Sequence, residues 1–355
     1  MDRLESVLID RQDDLLSVLD KDLGKPGVEA YLAEYYFLLQ ELRLIKKSFR
    51  KWLKPRRVSS PVYFHPCRTE IRQESFGVTL IMAPWNYPVQ LALSPLIAAV
   101  AAGNTVILKP SEMASATENL LVEIIESSFD KEHVAVVIGG ASVAAQLLEK
   151  PFDFIFFTGS TEIGKIVAQK AAMNLTPIIL ELGGKCPCVV DASVNVEMAA
   201  RRILSGKFFN GGQTCFAPDF VVVHESMKKG LLAAIKRLIK SVPWNDEMAH
   251  IINDHHYDRL LMLLDGEEIK QGEDDREKLH LAPRILTDVN WDDAVMEEEV
   301  FGPILPILEY SNLADLKRWL TDYASPLALY IFSNDKYFQQ SIMESVRSGG
   351  VCIND

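Results

Sequence analysis

The stretch FDFIFFTGSTEIGK, Phe152 to Lys165, decides how the chain is read. An apolar run ends at Thr158, Gly159-Ser160-Thr161 opens the next element, and helical spacing begins near Glu162. Outward from it the same alternation continues. The short β-rich runs VTLIMA (78–83), TVILKP (105–110) and HVAVVIGG (133–140) are separated by helical stretches at 88–102, 116–129 and 141–148. TPIILELGG (176–184) adds one more strand. Apolar strands alternating with helices are the pattern of a parallel sheet covered on both faces, a doubly wound α/β domain.

A second α/β region follows, with CVVD (188–191), the helix MAARRILSGKFF (198–209), the strand FVVVHE (220–225) and the helix KKGLLAAIKRLIK (228–240). Residues 245–295 are polar and give no clear period. At 355 residues the chain exceeds the size of a single core, so two domains are expected. The change of character near Glu181 to Gly184 places them at 1–181, dinucleotide-binding, and 182–355, catalytic. Residues 1 to about 53 have apolar side chains three and four apart, a helical preamble. SSPVYFHPCRTEIRQE, within 58–75, is broken by Pro61 and Pro66 and reads as extended edge strands.

Composition narrows the function. A net charge of -12 repels phosphate backbones and anionic lipid, so nucleic acid is not an expected partner. The basic stretch KKSFRKWLKPRR (46–57) reads as the solvated face of a helix and its exit. The apolar run 89–102 is short of a membrane span and carries Pro95, which makes it a buried helix, and no membrane anchor is expected. Cys67, Cys186, Cys188, Cys215 and Cys352 are odd in number and scattered, which fits free thiols in a reducing, cytoplasmic compartment. Cys186-Pro187-Cys188 lacks metal or redox spacing and reads as two buried small residues. His250, His255 and His256 read as a surface turn, and no metal site is expected.

Several residues are of the right type for chemistry, each with a plainer alternative. The Gly159-Ser160-Thr161 junction with Gly164 is either an anion-binding helix start or an ordinary capped turn. Lys109 and Glu112 lie at the carboxyl edge of the sheet, where they serve as ribose partners or form a surface pair worth little. Asn86 in APWNYP is an oxyanion donor or a turn residue. Glu181, at a strand end beside two glycines, is a general base if burial raises its pKa, and otherwise an exposed turn carboxylate. Cys215, in GGQTC, is a nucleophile or an inert buried thiol; with a reference pKa of about 8.5 it needs little help to become thiolate.

Taken together, APWNYP, LKPSE, FFTGSTEIG, ELGGK, GGQTC and EEVFGP occur in an order and at spacings that resemble the aldehyde dehydrogenase superfamily. KPSE, LTPIILELGGK and QTCFAPDF are similar to its class 3 branch, which handles fatty and aromatic aldehydes. The resemblance runs over essentially the whole chain. It implies oxidation of an aldehyde to a carboxylic acid with NAD or NADP, with Cys215 as nucleophile, Glu181 as the base for the hydrolytic water, and Asn86 with the Cys215 amide on the oxyanion. No histidine is then needed. It also implies that Lys109, Glu112 and Glu299 hold the cofactor riboses, that Gly159, Ser160, Thr161 and Gly164 form the pyrophosphate turn, and that Leu182 and Phe301 pack on the nicotinamide side. A homodimer is implied as well. The family continues past GGVCIND, the last residues here, so the expectation is a chain incomplete at its C-terminal end. Two rivals stay open: a dehydrogenase that transfers the acyl group to coenzyme A, and an inactive paralogue that binds nucleotide or partner subunits.

Overall fold

The computed structural model describes residues 1–266, 268–323 and 325–355, with Asn245 described in its backbone alone. The chain forms two compact units, Met1–Asp22 with Gly27–Glu181, and Leu23–Pro26 with Leu182–Asp355.

In the first unit the N-terminal helices Asp2–Asp10, Gln12–Leu23 and Phe37–Trp52 turn Leu4, Leu8, Leu15, Leu19, Leu38 and Leu42 inward. They share one core with Leu93, Leu96 and Ile97 of the helix Gln90–Ala101, which accommodates Pro95. Lys46, from the basic stretch, pairs with Glu5 at 2.6 Å and with Asp2, as befits a helix face laced by charges. A π-helical turn, Tyr31–Tyr36, directs Glu34 inward, where it accepts from the amides of Val89 (2.8 Å) and Gln90 (3.2 Å) at the start of the next helix. Of the expected extended segment only β1 (Arg56–Val58) and β2 (Thr69–Ile71) pair, as an antiparallel ribbon around a 3-10 turn at Val62–Phe64.

The sheet of this unit comprises β3 (Val78–Met82), β4 (Thr105–Lys109), β5 (Val134–Val136), β6 (Phe154–Gly159) and β7 (Ile178–Leu182), in the order β5-β4-β3-β6-β7. β3 pairs in parallel with β4 and β6, and β4 with β5. After β3 the chain builds outward through β4 and β5, then crosses to β6 on the other side. A topological switch point therefore lies between β3 and β6. Register fixes what emerges there: Met82 aligns with Lys109 on one side and with Phe157 on the other. HVAVVIGG yields a strand of only three residues before the chain turns at Gly139 (φ 134°).

The second unit carries β8 (Pro187–Val190), β9 (Phe220–His224), β10 (Glu268–Lys270), β11 (Arg284–Leu286), β12 (Ile304–Tyr310), β13 (Ala328–Phe332) and β14 (Gly350–Ile353), ordered β10-β11-β12-β9-β8-β13-β14. Only β10 runs against its neighbour; the other pairs are parallel. The apolar strands show period two on two buried faces. Val189, Phe220 and Val222 enter one core, while Cys188, Val190, Val221 and Val223 enter the other. The helices Val196–Phe208 and Glu225–Ile239 contribute to the second of these cores. The polar region 245–295 holds β10, β11 and the helix Asp254–Met262, so His255 and His256 begin a helix capped by Asn253 rather than a surface turn. Among the described residues no helix is long and apolar enough to cross a membrane.

Candidate functional site

In the first unit, residues four different segments supply come to one sheet edge because the strands end level. Asn86 follows β3 and is 4% exposed. Lys109 ends β4, also 4% exposed, and its Nζ donates to Glu112 Oε2 (2.9 Å) and to the Pro110 carbonyl (2.8 Å). Lys109 is thus a buried cation with an exposed carboxylate over it, not a surface pair. Glu118, which the sequence reading passed over, is buried behind them, and burial is the main reason its pKa is raised. Its Oε1 accepts from the Gly139 amide at 3.3 Å.

After β6 the chain enters the helix Thr161–Met173 through Ser160, whose Oγ accepts from Ile163 N at 3.3 Å and whose carbonyl accepts from Gly164 N at 2.9 Å. The strand runs one residue further than expected, to Gly159. A Cβ at Gly159 would sit 2.6 Å from the Phe157 ring, so any larger residue at the junction would have to displace that ring. Capped start, missing side chain and switch-point location together fit a phosphate-bearing group. Glu181, on β7, is exposed. The burial on which the general-base reading was conditioned is therefore not found at this residue.

In the second unit the site-bearing residues gather at the amino ends of the parallel strands. Cys215 follows three consecutive residues in left-handed conformation: Asn210 (φ 56°), Gly211 (φ 61°) and Gly212 (φ 73°). A Cβ at Gly212 would come 2.5 Å from the Gly302 carbonyl carbon. Gln213, fully buried, ties the turn down: its Nε2 donates to the carbonyls of Asn210 (3.1 Å) and His250 (2.8 Å), and its Oε1 accepts from Ile252 N (3.1 Å). Cys215 itself is half-buried and Phe216 is exposed, so the turn does not fully enclose Cys215. The Cys186 thiol, buried and pushed up to about 12 chiefly by desolvation, donates to the Cys215 carbonyl at 3.5 Å. Tyr330 Oη donates to the Phe216 carbonyl at 2.5 Å. Cys186 and Cys188 are both fully buried, and Cys186 braces the turn that carries Cys215.

Glu299 and Phe301 lie on the loop before β12. The Glu299 carboxyl accepts from the Gly184 amide, and a Cβ at Gly183 would collide with it, so the glycines of ELGGK make room for this side chain. Burial, followed by the field of Asp219, raises the Glu299 carboxyl to about 8. Phe301 has φ 47°, a strained conformation for a bulky residue and of the kind that clusters where a ligand is met. The loop is held by charges the sequence reading missed. Lys185 Nζ donates to Asp219 Oδ2 (2.5 Å) and to the carbonyls of Val295 (2.9 Å) and Glu298 (2.8 Å), and Asp219 Oδ1 accepts from Val300 N (2.9 Å). A charged residue inside ELGGKCPCVV or CFAPDFVVV is the signal that was present. Leu182, half-buried, closes β7.

The whole chain, residues 1–355, matches the family described as "Aldehyde dehydrogenase family". It is 39% identical over 361 residues to 4,4'-diaponeurosporen-aldehyde dehydrogenase of Staphylococcus aureus, covering 99% of this chain and 79% of that one. It is 40% identical over 358 residues to aldehyde dehydrogenase family 3 member B1 of Rattus norvegicus, covering 99% and 76%. Among solved structures, Staphylococcus aureus AldH in a substrate-bound state superposes with a TM-score of 0.96 at 39% identity, over 100% of this chain and 79% of that one. An NAD-dependent aldehyde dehydrogenase of Sinorhizobium meliloti does so with 0.90 at 26%, over 99% and 73%. With relatives this similar over nearly its full length, the chain belongs to the aldehyde dehydrogenase family, in its class 3 branch, whose members oxidise aldehydes with NAD or NADP.

Proposed function

We propose that the chain oxidises apolar aldehydes, aliphatic of medium or long chain or aromatic, to carboxylic acids through a covalent adduct on Cys215. The observation that carries this reading is the glycine turn that leaves Cys215 only half-buried while its backbone is anchored on Gln213, Cys186 and Tyr330. The Cys215 thiolate adds to the aldehyde carbon, giving a thiohemiacetal whose oxyanion accepts from Asn86 Nδ2 and the Cys215 amide. Bound nicotinamide supplies the acceptor for the hydride that leaves this carbon, and Cys215 is left as a thioester. On the family resemblance, and as an exposed rather than a buried carboxylate, Glu181 takes a proton from water, the hydroxide adds to the thioester carbonyl, and the acid departs as the thiolate is restored. Ser160, Thr161 and the first turn with Gly164 bind the cofactor's pyrophosphate; Lys109, Glu112 and Glu299 hold its riboses; Leu182 and Phe301 border the nicotinamide. Glu112, acidic beside Lys109, favours a free 2'-hydroxyl and hence NAD.

The protein works as a homodimer in the cytoplasm. Five cysteines present as thiols support that compartment, and the exposed Val62, Tyr63 and Phe64 on the β1–β2 ribbon support association. The test is reduced nicotinamide formation by the purified chain with NAD or NADP and a panel of aldehydes, with the products analysed as free acid or acyl-coenzyme A. Activity surviving Cys215→Ala overturns the nucleophile assignment. Glu181→Gln is expected to give one rapid turnover of hydride and slow acid release; normal steady-state turnover removes Glu181 as the base. Nucleotide binding without oxidation of any aldehyde would establish the inactive-paralogue reading instead.

A further inference from the structure

Two carboxylates of the N-terminal helical region cap helices that belong to the first sheet. The helix Gln90–Ala101 starts from Val89 and the helix Ser115–Ser128 from Ala114, apolar residues whose side chains offer no oxygen to the free amides of a first turn. Glu34 supplies the first cap: its Oε2 accepts from Val89 N at 2.8 Å and from Gln90 N at 3.2 Å. Asp22, near the end of the helix Gln12–Leu23, supplies the second. Its Oδ1 accepts from Ala116 N at 3.0 Å and its Oδ2 from Thr117 N at 2.7 Å. Glu34 and Val89 are fully buried, so solvent does not compete for that contact. Glu41 adds a second hold on the same helix by accepting from Ser94 Oγ.

Each capped helix follows a loop that carries site residues. Loop 84–88 holds Asn86 and is pinned at both ends. Ala83 N donates to the Lys109 carbonyl at 3.0 Å on the sheet side, and Glu34 holds Val89, three residues after Asn86, on the other. Pro88 has a fixed φ and no N–H, so Val89 carries the first amide after Tyr87 that an acceptor can grip. Loop 110–114 holds Glu112, which is bonded to Lys109 Nζ, and leads into the amides that Asp22 takes. We propose that Glu34 and Asp22 are positioning residues, Glu34 fixing Asn86 for the aldehyde oxyanion and Asp22 fixing Glu112 for the cofactor ribose. Each acts through the backbone of the helix it caps. An oxyanion donor is effective only where the charge develops, so freeing the Asn86 loop slows the chemistry. Freeing the Glu112 loop weakens cofactor binding. The inference rests on the readings of Asn86 and Glu112 given above.

The experiment uses the full chain and takes two measurements: the single-turnover rate of reduced nicotinamide formation with octanal at saturating NAD, and the Kd for NAD by titration calorimetry. Glu34→Ala is expected to slow the turnover about tenfold with Kd within about twofold of the unmodified chain. Glu34→Gln, which keeps an acceptor oxygen, is expected to recover the rate to within about threefold. Asp22→Ala is expected to raise Kd about fivefold, the equivalent of one lost cap, with the rate at saturating NAD within about twofold. In the Asn86→Ala background Glu34→Ala is expected to slow the reaction no further. A helix cap with a purely structural role would move both measurements together, and that result overturns the proposal. So does a full rate in folded Glu34→Ala or an unchanged Kd in Asp22→Ala. An unchanged rate in Asn86→Ala overturns the oxyanion reading instead, and an unchanged Kd in Glu112→Ala the ribose reading. Should Glu34→Ala not fold, Glu34→Asp decides: one methylene short of the Val89 amide, it is expected to slow the turnover about threefold, and an undiminished rate refutes the assignment.

Discussion

Removing the Lys185 side chain as Lys185→Met tests the brace beneath the proposed active site. Lys185 and Asp219 are 5% and 4% exposed and meet at 2.5 Å. Their mutual attraction offsets the desolvation of both, so the net worth of the intact pair is modest, but breaking it strands Asp219 as a buried anion. Such a break costs about 3–5 kcal/mol. Lys207 at 3.9 Å and the Val300 amide remain as partial compensation, which places the expectation near the lower end, about 3 kcal/mol. For a unit of this size 1 kcal/mol shifts the midpoint by roughly 2–4 °C, so the second unit should melt about 6–12 °C lower. Calorimetry or near-ultraviolet circular dichroism would read the shift. The pair should also show coupling: Lys185→Met with Asp219→Leu should be less destabilised than Lys185→Met alone, because no buried charge is stranded. A shift below about 2 °C, or a double variant worse than the sum of the two, would refute the reasoning.

Three further outcomes follow from the same geometry. Gly212→Ala should abolish aldehyde oxidation and lower the melting temperature, since φ 73° and the adjacent Gly302 backbone leave no room for a methyl; retention of more than about a tenth of the activity would show that the turn relaxes. Ser160→Ala should cost about 1 kcal/mol of helix capping and raise the cofactor KM with little change in kcat, measured by thermal melts and steady-state kinetics. Glu299 has a raised folded-state pKa, so the stability it confers is full below about pH 4.5 and fades as pH rises through about 8. Glu299→Gln lacks that loss, and its denaturant stability relative to the unmodified chain should therefore improve from pH 5 to pH 9. A difference that stays flat across that window contradicts the assignment.

The first sheet was legible because its strands are short apolar runs that announce themselves locally, and β3, β4 and β6 lie where VTLIMA, TVILKP and FDFIFFTGS stand. The region 245–295 was not, since β10 and β11 are three residues each and the apolar side chains they use are scattered among charges. Cys215 stood out because two glycines and an amide precede it, and Glu299 came from family resemblance alone. Lys185, Lys207 and Asp219 escaped notice although each interrupts an apolar context. A buried lysine and a solvated one are the same letter, and only its surroundings distinguish them.

Residue order alone determined the alternation of strands and helices, the burial of strands on both faces, and the glycine turn before the thiol, because each depends on side chains close together in the chain. Which ends of the strands lie level was decided by tertiary structure. The register that sets Met82 beside Lys109 and Phe157 creates the carboxyl-edge group, and the pairing of Pro187 with Phe220 brings Lys185 to Asp219 at the amino edge of the second sheet. Register arises from non-local hydrogen bonding and packing, so the partners of a buried charge, and with them the protonation state of Glu299, exist only once the sheets have closed.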